Sequence, residues 1–267
     1  MNSTKLTELF TISTASKGQD WENIINRQHC AFLNRKCIKI RKSQPEISIG
    51  TCTVKYGTGD VIICPHRLIE KRKIFLDCIH LLTLHESGND LHVVSEISIP
   101  GGSIDYILVS VKQNKVKDFV GIELQTLDTT GTVWPERQRF LQSQNINVPS
   151  DTSDKSFGMN WKITAKTILV QLHHKIETFE ILSKHLMLVV QDCLLNYMQK
   201  EFSFSHISKT AKIGDSMHFY SYKLEQKDSE YHLNLFERMS TDSEGISKCM
   251  GLQAEANVEL DIILKTL

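Results

Sequence analysis

The chain has 267 residues, 40% of them apolar, which is enough for one sizeable core or for a core with a small appended unit. Lys and Arg together number 31, as do Asp and Glu, so no overall field selects a partner and only the local distribution of charge is informative. The opening MNSTKLTELF lacks the apolar core of a secretory signal, and the most apolar later run, 181–195, is interrupted by Lys184, His185, Gln191 and Asp192, which excludes a membrane span there.

In chain order, residues 4–12 and 19–33 carry apolar side chains at helical spacing and predict N-terminal helices. From 37 to 63 the text changes to short β-like pieces (CIKI, ISIGTCTVKY, VIIC) split by Pro45, Gly50, Gly57 and Gly59. Pro65 sits where a helix begins, and 67–85 reads as helical. Strands are predicted over 91–97, 104–111 and 119–125, and a short helix over 134–144. A polar loop then runs to Ser156, followed by a long helix over 161–180 and a buried-type strand over 184–190. The tail offers β-like runs at 216–224 and 231–239 and a helix over 245–265. These changes divide the chain into N-terminal helices (1–29), a cysteine-rich unit (30–66), a core of helices and strands (67–200) and a C-terminal β/α extension (201–267).

Cys30, Cys37, Cys52 and Cys64 are separated by 6, 14 and 11 residues. This is not the paired CxxC spacing. Four thiolates would close a tetrahedral shell around one metal ion and staple a short, turn-rich segment poor in large apolar side chains. Four buried small hydrophobes fit the same spacing. With seven cysteines and no secretory signal, the expected compartment is a reducing cytoplasm. Cys78, Cys193 and Cys249 stand alone in apolar text and read as core. The same unit carries Arg35, Lys36, Lys39, Arg41 and Lys42, with no acidic residue between Arg27 and Pro45. A solvated face is the plain reading of such a run, but cations without anions beside a cysteine knuckle favour duplex phosphates, with an Arg able to read guanine.

The richest stretch is ISIPGGSIDYILVSVKQNKVKDFVGIELQTLDTTGT, 97–132. IDYILVSV and FVGIEL flank the polar turn QNKVKD and predict a hairpin. Strand side chains alternate faces, so Glu123 and Gln125 point the same way, and antiparallel pairing brings Asp105 beside Glu123. Two carboxylates and an amide oxygen on one face suit a magnesium ion.

Asp, hairpin, then Glu-x-Gln, with Pro100 shortly before Asp105, resembles the PD-(D/E)xK nuclease superfamily, with Gln125 where Lys is usual. IPGGSIDY and GIELQTLDTTGT resemble the NotI-type restriction endonucleases, a branch in which Gln takes that place. CIKIRKSQPEISIGTC and VIICPHR resemble the segment in which that branch binds one metal through four cysteines. The resemblance covers roughly residues 30–190.

The resemblance implies an α/β fold with a mixed sheet, a PD-(D/E)xK core preceded by a four-cysteine unit holding Zn²⁺ or iron. It implies a Mg²⁺-dependent type II restriction endonuclease acting on double-stranded DNA, with a cognate DNA methyltransferase expected in the same system. A C₂ homodimer is the simplest way to cut both strands of a palindrome, and the tail from Ser216 would supply its interface. Asp105 and Glu123 become the Mg²⁺ ligands, joined by the carbonyl of Leu124, and Gln125 orients the attacking water or touches the phosphate. Glu96 is a candidate third carboxylate and Asp128 a turn residue. Lys162 and Lys166 are candidates to bring positive charge, or are solvated; His173 and His174 receive no role. Two other readings are a metal-stapled DNA-binding protein with an inactive nuclease fold, and a repair or resolvase nuclease of the same fold.

Overall fold

The computed structural model describes residues 4–148 and 156–251. The chain opens with β1 (Leu6–Leu9) and β2 (Ile12–Ser13), followed by α1 (Trp21–Arg27). Four short strands follow: β3 (His29–Cys30), β4 (Arg35–Lys36), β5 (Ile40–Arg41) and β6 (Gln44–Ser48). Then come β7 (Thr51–Tyr56), β8 (Gly59–Ile62), the 3-10 segment Pro65–Arg72 and α2 (Lys73–Asp77). β9 (Asp90–Ile99), β10 (Gly102–Lys112) and β11 (Lys115–Leu124) make a meander. The rest is β12 (Thr129–Thr130), α3 (Trp134–Ser143), β13 (Gly158–Met159), α4 (Trp161–Ile181), β14 (His185–Gln191), α5 (Asp192–Glu201), β15 (Met217–Lys227), β16 (Glu230–Thr241) and α6 (Ser243–Cys249).

Six strands form a mixed sheet in the order β16-β15-β14-β11-β10-β9. The β9–β10 and β10–β11 pairs are antiparallel; β14 runs parallel to both β11 and β15. Local chemistry sets the turns. Pro100 and Gly101 link β9 to β10, and Gly101 takes φ +89°, the left-handed position a type II turn reserves for glycine. Gln113 and Asn114 link β10 to β11 with φ +51° and +58°, as a primed hairpin turn requires. β14 (HLMLVVQ) is buried along its whole length, as befits a parallel strand covered on both faces.

One face of the sheet packs on α4, whose Ile168, Leu169, Leu172, Ile176 and Phe179 join Ile107, Leu186 and Leu188 in an apolar cluster. Leu68, Ile74, Phe75 and Leu81 cover Leu108, Val120, Ile122, Met187 and Val189 on the other face. The second sheet, β2-β1-β7-β8, is tied to the end of β14. Gln191 Oε1 accepts from Ile62 N at 2.8 Å, and its Nε2 donates to Asp60 O at 2.8 Å.

Several expectations need correction. The N-terminal segment contains one short helix, and Leu6–Leu9 is a strand rather than helical. Its pairing with β7, distant in sequence, overrides a weak local helical period. The helix expected over 67–85 is broken at Glu70, Lys71 and Arg72, where φ/ψ leave the helical region. Buried Arg67 holds Glu8 and Glu70 there and donates to Tyr231 O, a web that a continuous helix would not make. The tail strands β15 and β16 continue the main sheet. Of the terminal helix, Ser243–Cys249 is described and 252–267 lies outside the described residues, as does 149–155 of the polar loop. Among the described residues no helix is long and apolar enough to cross a membrane.

Candidate active site and cysteine cluster

Pairing of Tyr106 with Ile122 and of Ile107 with Gly121 sets Asp105 across from Glu123, as alternation predicts. Leu124 N donates to Asp105 Oδ2 at 2.8 Å, locking the first carboxylate to the strand that carries the second. Glu123 is buried, and burial pushes its carboxyl up to about 7 against the pull of Lys175, with Asp105 adding to the rise. Asp105 is half-buried and also raised by burial, opposed by the Leu124 amide, Lys175 and His66. Asp105 makes Glu123 harder to ionise and Glu96 does the same to Asp105, so the site gains from a cation.

Gln125 N donates to Val189 O at 3.0 Å, while its side chain points to α4, where Nε2 donates to Gln171 Oε1 at 3.2 Å. One turn on, Lys175 Nζ lies 2.7 Å from Glu123 Oε1. The sequence points to Lys162 and Lys166 instead, and neither reaches the site. Lys162 pairs with Glu201 at 3.1 Å, and Lys166 is exposed. Lys175 follows Lys166 by nine positions, which at about 100° per residue puts them on opposite sides of the helix. Lys175 does carry a sequence signal: it shares the spacing of Leu172, Ile176 and Phe179, so it is a charge inside the core-facing stripe.

Glu96 lies opposite Asp105 on β9, between the pairs Ser95–Tyr106 and Ile97–Ile104. It has φ +58°, rare for a non-glycine residue inside a strand, and its charge reaches both Asp105 and His66. His66, to which the sequence alone assigns no role, is half-buried, and its Nδ1 has no partner among the described residues. Burial lowers its pKa, helped by the charges of Arg35 and Lys39 and opposed by those of Asp105 and Glu96. Asp128 is exposed and serves the turn through its backbone, accepting from Asn160 N at 2.8 Å and donating to Thr164 Oγ1 at 3.3 Å.

The four cysteines are buried. Cys30 ends β3, Cys37 follows β4, Cys52 lies on β7 and Cys64 follows β8. Cys52 Sγ donates to Gly50 O at 3.5 Å, Cys52 and Cys64 act on each other electrostatically, Cys30 is near enough to feel Cys37 and Cys64, and Cys37 feels Cys64. The Cys52 thiol favours the Cys64 thiolate, which Lys39 and the amides of His66 and Arg67 also stabilise, while Cys52 is pushed up by Cys64 and by burial. Among the described residues no group of three or more His, Cys, Asp or Glu side chains gathers closely enough to hold a metal ion. Only the donor chemistry of four thiols in one short unit speaks for a thiophilic metal.

The basic run divides. Arg35, Lys36 and Lys42 are exposed, whereas Lys39 and Arg41 are partly buried. Arg35 is close enough to His66 and Tyr106 to affect both. Lys36 donates to Glu46 O at 3.0 Å and Lys39 to Ile63 O at 3.1 Å. Arg41 stacks on the Trp134 ring at 4.5 Å and bonds Gln44 Oε1 at 2.6 Å, so it joins the cysteine unit to α3.

A family model described as Restriction endonuclease NotI matches residues 28–233, a span that takes in all four cysteines, Asp105, Glu123, Gln125 and Lys175. A search of the curated proteins finds no match.

Proposed function

The chain belongs to the restriction endonuclease NotI family, whose model matches more than half of it, and from that premise we propose that Asp105 and Glu123 form the site at which both strands of a specific duplex are cut with Mg²⁺. As a member of that family the protein is a type II restriction endonuclease, a site-specific deoxyribonuclease. The observation that carries the assignment is the approach of Asp105 and Glu123 across one hairpin, each raised by burial. The order of the central elements supports a PD-(D/E)xK core, with the meander β9–β10–β11 followed by α4 and the parallel strand β14.

In this reading Asp105, Glu123 and the Leu124 carbonyl hold Mg²⁺, which when bound supplies positive charge to the scissile phosphate and activates water. Asp105 is kept in place by the Leu124 amide. Gln125, steadied by Gln171, offers one donor and one acceptor for positioning the water or the phosphate. Glu96 is a third carboxylate at the mouth. Arg35, Lys36 and Lys42 face the duplex phosphates, while Lys39 and Arg41 shape the unit that presents them. Cys30, Cys37, Cys52 and Cys64 would hold one Zn²⁺ or iron, an assignment supported by their burial in one short unit and their donor type. The functional unit is a C₂ homodimer, paired in its host with a methyltransferase that protects the same sequence.

The test is incubation of the purified protein with unmethylated phage DNA, with and without Mg²⁺. Discrete fragments appearing only with Mg²⁺ are expected. Smearing or nicking would instead indicate a repair or resolvase activity, and binding without cutting an inactive fold.

A further inference from the structure

The carboxylate pair has a counter-ion that the strand motif does not supply. Lys175 lies in the interior stripe of α4 with its side chain 7% exposed, and its ammonium is 2.7 Å from Glu123 Oε1. It also acts on Asp105. An ammonium is costly to bury, so one at this depth needs a strong local partner.

Neighbouring chemistry fixes the helix at this height. Gly101 and Gly102 close the turn between β9 and β10 directly against α4. A Cβ at Gly101 would stand 2.1 Å from His174 O, and one at Gly102 would stand 3.3 Å from Lys175 Cε. Thr178 Oγ1 donates to Pro100 O at 3.4 Å. The glycines of IPGGSID thus admit the backbone and the stem of the residue that neutralises Glu123. Gln171 and Lys175, one turn apart on α4, meet Gln125 and Glu123, two residues apart at the end of β11.

Gln125 carries no charge, yet cleavage of a phosphodiester spreads negative charge over the phosphate oxygens. We propose that Lys175 is the cationic catalytic residue of this site. In the metal-free protein its ammonium is held on Glu123, and in the reacting complex it donates to a non-bridging oxygen of the scissile phosphate. Lys175 acts as a fixed charge. The water oxygen forms the new bond to phosphorus as the bond to the leaving deoxyribose oxygen breaks, and the proton of the water reaches that oxygen through solvent. The inference rests on the reading of Asp105 and Glu123 as the cleavage site.

A lysine that only fills the metal position predicts a different outcome, so Lys175→Met discriminates. The measurements, on the full chain, are single-turnover cleavage at saturating Mg²⁺ and calorimetric Mg²⁺ binding to the DNA-free protein, with Asp105→Asn alongside. Lys175→Met is expected to bind Mg²⁺ more tightly, having lost a competing cation, yet to cleave at least about 100-fold more slowly at saturation, the usual loss for one preorganised donor. Lys175→Arg, which keeps the charge, should recover part of that rate. Lys175→Met cleaving at the wild-type maximal rate with a lower Mg²⁺ requirement would overturn the proposal and leave the lysine a placeholder. If the Met variant does not fold, Lys175→Gln, which keeps a donor to Glu123 without charge, carries the same expectation. Should Asp105→Asn also cleave normally, the carboxylate site itself is misassigned, an outcome separate from failure of the lysine alone.

Discussion

Gln125 Nε2 donates to Gln171 Oε1 at 3.2 Å, so its side chain is held by the same helix that brings Lys175 to Glu123. A held amide positions but does not neutralise. Gln125→Ala should therefore slow single-turnover cleavage less than Glu123→Ala, since the carboxylates remain. Gln125→Glu should be slower than Gln125→Ala, because it aims a further negative charge at the phosphate. Equal loss in Gln125→Ala and Glu123→Ala would make Gln125 a ligand or an essential positioning group.

Asp105→Ala and Glu123→Ala should each abolish cleavage and spare specific DNA binding, because carboxylates repel phosphate. Glu123→Ala has a further consequence: it strands the buried Lys175 ammonium without its partner, at a cost of about 3–5 kcal/mol typical of a broken buried pair. Asp105→Ala breaks no such pair, so its urea midpoint should fall less. Band shifts, cleavage assays and urea titrations on the same preparations check all three points.

The basic run should divide in function as it does in place. Neutralising exposed Lys36 or Lys42 should weaken binding to all sequences and reduce the salt slope by about one unit for each lysine that meets a phosphate. Arg41→Ala removes a stack on Trp134, so it should lower thermal stability while changing the salt slope little. A full-unit change of slope in Arg41→Ala with unchanged stability would put Arg41 on the DNA.

If Cys30, Cys37, Cys52 and Cys64 hold one metal, elemental analysis should find about one thiophilic ion per chain that survives EDTA dialysis. Cys52→Ser should lose it and lose DNA binding or aggregate. Metal-free wild-type protein of undiminished stability would make the four thiols simple core.

His218, on β15, is 1% exposed, and burial followed by the nearby His185 holds its pKa down to about 4 against an ordinary 6.5. It folds uncharged and takes up a proton more readily when unfolded, so its contribution is complete above pH 6.5 and declines as pH falls toward 4. The gap corresponds to roughly 3 kcal/mol at most. Urea midpoints at about pH 8 and pH 4.5 should differ less in His218→Gln than in the wild type; an unchanged difference would assign the acid sensitivity to other groups.

The hairpin, the approach of Asp105 to Glu123 and the common face of Glu123 and Gln125 were legible in the sequence, because strand alternation and a polar turn are local properties that hold wherever the hairpin is placed. The family was legible too, in IPGGSIDY and GIELQTLDTTGT, and the match over 28–233 agrees with it. What the sequence did not decide is what crosses from elsewhere. Lys175, not Lys162 or Lys166, enters the site because the Pro100–Gly102 turn fixes the height of α4 on the sheet, and a helix presents only one side to a given point. Leu6–Leu9 becomes a strand because β7 is there to pair with it, and β15 and β16 join the main sheet because β14 offers an open edge. Short-range periodicity is written in neighbouring residues; the pairing of distant strands and the height of a helix on a sheet are set by burial of surfaces that meet only when the chain has folded.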